Sequence, residues 1–403
     1  MQTSHGRSTA AGDGAPRGRM SLTLLILLLP GLSAAIITVP PPLLPAMANA
    51  LGGGNHGTFL SQLLLAASSV ALALGPLFGG WIIARSGIRT LLAGSLIVYG
   101  CAGLVPIFDM GFAAMMASRF LLGLAGALLL SSGLSLLLTS FEGPRRERML
   151  GIQSASGAVA AFLLSGISGL LAQHWGWRVA FSLYGVAIPM FLLALAALPA
   201  IPGRPASVDP LSATEDAAVL RRIWDLLLIL VGVTILTSMN YLQGAFLLQE
   251  AGVSDARVIA LVIGLSSLAN AGGSFFFSTL HRQLGVMLFP MLLAAVASGA
   301  LLWSFAAGPI MATIGCLLIG IPNGVFAPHM TTRVIARVPP ASRAAAGGMF
   351  YCALFSAQFL NPFLAAPLRG VAGSRGLFLA AGIAAALCAS IATIQALRRA
   401  RLS

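Results

Sequence analysis

The residue best placed to do chemistry inside an apolar stretch of this chain is Arg119, which opens the sequence RFLLGLAGA at 119–127. It lies about two turns inside a predicted span, and a charge at that depth costs several kcal/mol unless it is paired or hydrated. No Asp or Glu occurs at the middle of any predicted span, so the guanidinium needs backbone carbonyls, water, a polar side chain such as Gln62, or a substrate. We expect Arg119 and Gln62 to face a cavity. A purely structural role is the alternative for Arg119.

Residues that could carry a proton form a second group of candidates. His329 is the near-neutral titratable residue that lies well inside a predicted span, and histidine changes charge between about pH 5 and 8. Asp225 and Glu250 lie at the two ends of the seventh predicted span. We hypothesise that any proton coupling runs through His329 or through Asp225 and Glu250. A histidine hydrogen-bonded near a helix end is the alternative for His329.

Neutral polar residues inside apolar segments form a third group. Such side chains are costly in lipid, so each faces either a cavity or a neighbouring helix. A cavity lined by them and by one cation would accept an amphipathic neutral or anionic molecule more readily than a strong cation. Helix–helix hydrogen bonds are the alternative role of each member. The group comprises Asn240, Tyr241, Gln243, Asn270, Tyr351, Gln358 and Asn361.

The elements that must position these residues are membrane-spanning helices. Of 403 residues, 58% are hydrophobic and 8% are charged, whereas roughly a quarter of a typical soluble protein is charged. A spanning helix needs about 20 mostly apolar residues. The predicted fold class is therefore an all-α membrane protein with twelve transmembrane helices. The predicted spans are 21–47, 58–84, 90–108, 112–140, 149–173, 178–200, 223–249, 256–280, 286–307, 309–337, 345–369 and 375–397.

The predicted spans fall into two six-helix halves, at 21–200 and 223–397, joined by the proline-containing and acid-rich linker 201–222. Residues 1–20 predict a disordered cytoplasmic tail, and 398–403 predict a second cytoplasmic tail. Most arginines lie in alternate loops, and the positive-inside rule then places both termini in the cytoplasm. Short loops favour a bacterial inner membrane as the location.

Landmarks recur between the two halves at nearly constant offsets of 197, 195 and 197 residues. They are Arg85 with Arg282, Arg148 with Arg343, and RVAF at 178–181 with RGLF at 375–378. Duplicated, pseudo-symmetric six-helix halves around a midplane site are a transporter architecture.

The loop after the second span reads GWIIARSGIR at 80–89 and resembles the signature of the major facilitator superfamily, G-x-x-x-D-R-x-G-R-R. Ala84 occupies the place of the aspartate, and the residues that match are Gly80, Arg85, Gly87 and Arg89. RFLLGLAGA in the fourth span and GWRVAF at 176–181 are also similar to this family. The resemblance extends over the chain from residue 21. It is nearest to the twelve-span drug/proton antiporters and sugar-efflux proteins.

This resemblance implies a secondary active transporter that works by alternating access, with proton-linked efflux expected. Uptake or exchange of a small organic anion is the alternative, and a non-transporting membrane sensor is a more distant one. In relatives the motif aspartate helps to latch the outward-facing state. Ala84 therefore implies a weaker latch and a shift toward the inward-facing state.

Glycines near one another on a membrane helix let neighbouring helices approach closely. Three predicted spans carry such pairs, which we expect to form packing faces. These are Gly123 and Gly126 in the fourth span, Gly166 and Gly169 in the fifth, and Gly320 and Gly324 in the tenth.

Several function classes do not fit this sequence. All 23 basic residues are arginines scattered between apolar segments, which argues against a nucleic-acid partner. No H-E-x-x-H, no G-x-S-x-G and no phosphate-binding G-x-x-x-x-G-K-[ST] occurs, which argues against an enzyme and an ATP-driven pump. The four cysteines lie in apolar runs without a C-x-x-C pair. We expect no cofactor and no metal. The expected partners are a small-molecule substrate, the lipid bilayer and a proton, and the chain is expected to be a monomer.

Overall fold

The computed structural model describes residues 16–197, 213–339 and 342–400, which contain helices and no β-strand. Most of the predicted N-terminal tail, the first part of the linker and the last three residues lie outside these ranges. The helices are α1 Pro16–Thr38, α2 Leu44–Ala50, α3 Gly54–Leu104, α4 Gly111–Ser140, α5 Gly143–Trp175, α6 Trp177–Ala180, α7 Ala187–Ala197, α8 Ala213–Leu242, α9 Gly244–Glu250, α10 Ala256–Leu284, α11 Leu288–Ser304, α12 Pro309–Ala336 and α13 Arg343–Ala400.

Two glycine turns mark the two ends of the helical bundle. Gly111 begins α4 with φ 81°, and Gly143 begins α5 with φ 55°. We call the end of the molecule near Gly111 the Gly111 face and the opposite end the Gly143 face. Helix α1 runs antiparallel to α4, because Ile36 contacts Gly126 and Leu29 contacts Gly133. The first described residues therefore lie toward the Gly143 face.

Nine segments of the described residues are long and apolar enough to cross a membrane. Two of them, Ala256–Ser304 of 49 residues and Ala345–Arg398 of 54 residues, are far longer than the about 20 residues that one crossing needs. Helix α3 departs from helical geometry at Gly87, with φ 77°, and α13 does so at Gly373, with φ 68°. Glycine adopts this left-handed backbone without the Cβ clash that other residues meet. At each position two helices join at a kink, and α3 turns back there, because Ser68 and Ala102, on either side of Gly87, both bond to Arg119.

Helix α8 begins at Ala213, inside the segment that the sequence assigned to the linker. Alanine, glutamate, leucine and arginine are frequent in 213–222, and all of them favour helix. Val219, Ile223, Leu226 and Leu230 recur at helical spacing and are buried in one apolar cluster. This burial explains why helix rather than linker begins there.

Five of the six predicted packing glycines lie at close helix contacts. A Cβ at Gly123 would overlap the carbonyl of Ser68, and one at Gly324 would overlap the carbonyl of Asn270. Gly126, Gly169 and Gly320 are similarly close to neighbouring helices. Gly166 is the exception, since a Cβ there would meet no atom within 4 Å. The prediction of a packing role for Gly166 is therefore wrong.

The described chain falls into a first part, α1–α7, and a second part, α8–α13, that pack in the same pattern. In the first part α3 packs on α4 and α1 packs on α5, and in the second α10 packs on α12 and α8 packs on α13. The two parts meet through α5 against α10 and through α3 against α13. Large apolar side chains such as Leu163, Leu192 and Ile383 face outward. Such a surface suits contact with lipid.

Candidate functional site

A cavity of about 680 Å³ lies between the first and second parts. Its size is in the range of small-molecule sites. On α5 it extends to Gly151 and Ser154, which are exposed and lie within about three turns of Gly143. The cavity therefore runs from the middle of the bundle toward the Gly143 face.

The two walls of this cavity differ in chemistry. The first-part wall is built mainly from small apolar residues of α1 and α5, among them Ala34, Ala155, Ala158 and Ala161. The second-part wall carries most of the polar groups. Its polar members are Thr234, Thr237, Ser238, Tyr241, Ser267, Asn270, Ser274, Asn323 and Gln358.

Sequence reasoning found only part of this polar wall. Of the predicted cavity residues, Tyr241, Asn270 and Gln358 line the cavity. Asn323 was missed, because it lies between Pro322 and Gly324 in a segment that was interpreted for packing. The hydroxyls of α8 could have been found from spacing, since Thr234, Thr237, Ser238 and Tyr241 recur at helical intervals.

Three other predicted cavity residues, Gln62, Gln243 and Asn361, instead form a buried network near the Gly111 face. Gln62 Nε2 donates to Gln243 Oε1 at 2.7 Å, and Gln243 Nε2 donates to Asn361 Oδ1 at 3.2 Å. Arg369 Nη1 also donates to Gln243 Oε1, at 3.0 Å. Gln62 belongs to the first part and the other three residues to the second. We call these four residues the amide network.

The amide network seals the cavity on the Gly111 side. The amide side chains of Gln62, Gln243 and Asn361 are fully buried, and Arg369 is 6% exposed. An apolar cluster of α2, α3, α8 and α9 lies beside the hydrogen bond that joins Gln62 of the first part to Gln243 of the second. Its members are Leu44, Ala48, Leu65, Leu242 and Phe246. Leu65 and Leu242 also line the cavity, so the seal forms the end wall of the cavity.

Arg369 was not among the predicted site residues, because it is the last residue of the predicted span 345–369. Helix α13 instead continues past it to the bend at Gly373. Arg369 therefore lies inside the bundle, and its guanidinium is 5.3 Å from the ring centre of Phe246. Its position at the end of an apolar run was the only signal in the sequence.

Arg119 does not line the cavity, which corrects its predicted position. Its Nη2 donates to the carbonyls of Ala102 and Gly103 at 3.3 and 3.2 Å, at the end of α3. In a helix the carbonyl of Ala102 would accept a hydrogen bond from the N–H four residues later, but that residue is Pro106, which has no N–H. The guanidinium also lies 5.0 Å from the rings of both Phe181 and Tyr184. Arg119 therefore caps a helix end, the structural role that was the alternative.

Two further predicted cavity residues lie elsewhere. Tyr351 is 45% exposed and packs against Phe350 and Phe355. Asn240 is buried and donates through Nδ2 to Ser266 Oγ at 2.7 Å, between α8 and α10. Both therefore make contacts within the second part.

None of the three predicted coupling residues lines the cavity. Asp225 pairs with Arg337 at the Gly143 face, and Glu250 accepts a hydrogen bond from Ser374 Oγ at 2.6 Å at the Gly111 face. His329 is 7% exposed, and its ring nitrogens have no hydrogen-bond partner within the described residues. Its ring lies 5.8 Å from that of His281.

The signature motif lies at the bend of α3 on the Gly143 face. Gly87 forms the bend, and Arg85 and Arg89 are exposed on either side of it. Gly80 and Ala84 belong to the helix before the bend, and their side chains lie outside the described residues. The weakened latch that Ala84 implies stays a prediction.

At the Gly111 face, Asp255 accepts a hydrogen bond from the backbone N–H of Arg257 and caps the start of α10. The guanidinium of Arg257 holds the pKa of the Asp255 carboxyl below its ordinary value.

A helical bundle with a lipid-compatible surface and a central cavity sealed on one side defines the class of membrane transporters. The sequence model of the Major Facilitator Superfamily matches residues 26–362. The chain therefore belongs to this superfamily, as its signature motif indicated.

Proteins of similar sequence support the assignment to the class of membrane transporters. The chain is 27% identical to a "probable multidrug-efflux transporter" of Mycobacterium tuberculosis (strain H37Rv), over 89% of this chain and 90% of the relative. It is 24% identical to a "probable sugar efflux transporter" of Mannheimia succiniciproducens, over 64% of this chain and 65% of the relative. Both relatives carry the names of transporters.

Solved structures share the fold at low identity. The nucleoside transporter NupG has a TM-score of 0.73 and 14% identity, covering 93% of this chain and 99% of NupG. A bacterial homologue of the human lysosomal transporter Spinster, solved in an inward-facing and unoccupied conformation, has a TM-score of 0.71 and 17% identity, covering 96% and 98% of the chains. At these identities the likeness concerns the fold alone.

Proposed function

We propose that this chain is a secondary active transporter that moves a small, uncharged amphipathic molecule by alternating access. The observation that carries this proposal is the 680 Å³ cavity between the two parts. The amide network closes it toward the Gly111 face, and exposed residues such as Gly151 continue it toward the Gly143 face. A cavity closed on one side and approachable from the other is one of the two states that alternation needs.

We assign the chain twelve crossings, six in 21–200 and six in 223–397, with the Gly143 face in the cytoplasm of a bacterial inner membrane. The kinks of α3 and α13 at Gly87 and Gly373 support the number of crossings. The excess of arginines in the loops of the Gly143 face supports the orientation. In this orientation the structure corresponds to an inward-facing state. We propose that the monomer is the functional unit.

Proton-linked export is the direction and coupling that we propose. The names of the multidrug-efflux and sugar-efflux relatives support export. His329 is our first candidate for the proton site, because its buried ring nitrogens have no partner within the described residues, whereas Asp225 and Glu250 each have one. Transport of an organic anion is less favoured, because Arg119 lies outside the cavity.

The test uses the full chain in proteoliposomes. With an acidic lumen, tritiated chloramphenicol, an uncharged amphipathic compound, should accumulate above the level in protein-free liposomes, and a protonophore should abolish this accumulation. His329→Gln should lose gradient-driven accumulation and keep counterflow, the exchange of labelled for unlabelled compound. His174→Gln, at an exposed helix end, is the matched control. Absence of both gradient-driven uptake and counterflow, with correctly folded protein, would contradict the proposed function.

A further inference from the structure

We infer that the cavity recognises an uncharged molecule in one orientation, with its hydroxyl- or amide-bearing edge against the second part and its apolar face against the first part. This inference rests on the proposed function and deepens it, since it names the substrate class of the same site. It depends on two features of the cavity, which are unused hydrogen-bonding groups on one wall and the absence of charge from the lining.

The second-part wall presents three side-chain amides whose hydrogen-bonding groups are largely unused. Asn270 makes no side-chain hydrogen bond to any described residue. Asn323 accepts one bond through Oδ1, from Thr237 Oγ1 at 3.2 Å, and Gln358 accepts a long one through Oε1, from Ser69 Oγ at 3.4 Å. The Nδ2 of Asn323 and the Nε2 of Gln358 donate to no described residue.

Amides in this condition point to a ligand. Asn270, Asn323 and Gln358 are partly exposed to the cavity, where water satisfies their unused groups until a ligand takes its place. Gln243 nearby is buried and instead uses both ends of its amide within the protein. The three amides of the cavity wall come from α10, α12 and α13 and face one space. A molecule in that space would meet both donors and acceptors. This suits hydroxyl or carboxamide groups, which also donate and accept.

The first-part wall offers little hydrogen bonding. Eight of its eleven lining residues are apolar, and its polar members are Thr38, Ser69 and Ser154. The hydroxyl of Thr38 donates to the carbonyl of Ala34 within its own helix at 2.9 Å, and Ser154 lies at the exposed end of the cavity. Ser69 is directed across the cavity to Gln358. A surface of methyl groups and helix backbone is smooth and apolar, and it would pack against a ring or an alkyl face.

The lining excludes charge as well. Among the residues that the structure describes, those that line the cavity include no Asp, Glu, Arg or His. A permanently charged ligand would lose hydration without gaining a partner of opposite sign, which is costly for cations and anions alike. Arg119 and Arg369 cannot supply that partner here, because the first lies at the end of α3 and the second lies behind Gln243.

The experiment compares four probes built on one biphenyl scaffold: the carboxamide, the carboxylate, the methylammonium and unsubstituted biphenyl. Binding is measured by equilibrium dialysis against the full chain in lipid nanodiscs, with empty nanodiscs subtracted. The carboxamide should bind at least about tenfold more tightly than each of the other three. Asn270→Leu and Asn323→Leu should each weaken carboxamide binding by about tenfold, as expected for the loss of one hydrogen bond, and leave biphenyl binding unchanged.

Asn55→Leu is the matched control, because Asn55 is exposed at the start of α3, outside the cavity. Ala158→Leu should weaken biphenyl and carboxamide equally, because it fills the apolar wall. The inference is overturned if a charged probe binds most tightly, if Asn270→Leu and Asn323→Leu bind the carboxamide as the unaltered chain does, or if no probe binds. Since binding needs no transport, the expected order of affinities without any counterflow would count against the transporter function and not against the substrate class.

Discussion

Replacing Gln243 by leucine should open the Gly111 face. In the closed state Gln243 accepts hydrogen bonds from Gln62 and Arg369 and donates one to Asn361. A leucine side chain can make none of these hydrogen bonds, so each of the three buried partners loses one. Gln62 Nε2 keeps a long contact with the carbonyl of Leu242 at 3.4 Å, so the main losses fall on Arg369 and Asn361. When the face opens, water replaces the lost bonds, so only the closed state is penalised.

The size of the effect follows from these two losses. A buried polar group that loses its partner costs about 1–3 kcal/mol, and the two together therefore cost about 2–6 kcal/mol. Because about 1.4 kcal/mol corresponds to a factor of ten, the ratio of open to closed Gly111 face should rise at least about 30-fold, and up to about 20,000-fold. Spin labels at Met110 and Phe305, which are exposed on this face in the two parts, would report the rise as a longer distance.

Two further variants make the test specific. Gln62→Leu should shift the ratio far less. It removes one hydrogen bond, the one to Gln243, but it also removes Gln62 Oε1, a buried acceptor that has no partner among the described residues. Gln153→Leu is the control, since its amide bonds to the carbonyl of Ile26 within the first part. The reasoning is refuted if Gln243→Leu leaves the distance distribution unchanged, or if Gln62→Leu or Gln153→Leu opens the face as far.

Three other substitutions test separate features of the fold. Arg119→Met should lower the melting temperature, because helix-end carbonyls lose their donor, and leave the affinity for biphenyl carboxamide within about twofold; a clear fall in affinity would return Arg119 to the binding site. Gly324→Ala should lower the free energy of unfolding by about 1–3 kcal/mol, because its methyl group would overpack against Asn270. Gly166→Ala should leave that free energy unchanged. Thermal unfolding measures both, and equal losses would contradict the packing assignment. Ala84→Asp should raise the population with an open Gly111 face by restoring a latch at the opposite face, and an unchanged label distance would defeat that idea.

The fold could be predicted because bilayer burial leaves few choices. Apolar runs of spanning length must be helical, and most predicted spans coincide with helices in the structure. The landmark pair Arg85 and Arg282 also marked real turns, since each lies within three residues of a glycine with positive φ, Gly87 and Gly285 respectively. Helix starts were less predictable. Residues 213–222 belong to α8 rather than to the linker, and Val219 in this segment is buried in a cluster with residues of other helices; a single sequence does not contain that information.

The candidate site could be predicted only in outline. Of the polar residues predicted to face the cavity, Tyr241 lines it, Gln243 is buried away from it and Tyr351 is exposed, and the sequence does not distinguish these positions. Tyr241 and Gln243 are two residues apart, yet one lines the cavity and the other bonds to another helix. Arg119 was misplaced because its partners are carbonyls of α3, and every residue carries a carbonyl. Contacts between distant segments decide these cases.

The uncharged lining has a consequence for the electrical behaviour of the cycle. A charge moved through a membrane potential of 100 mV gains or loses about 2.3 kcal/mol. The described part of the cavity lining contributes no such charge, and an uncharged substrate adds none. Any current that accompanies transport would then come from the coupling ion. Substrate-induced current measured against voltage would therefore count the coupling charges directly, even before the residue that binds them is identified.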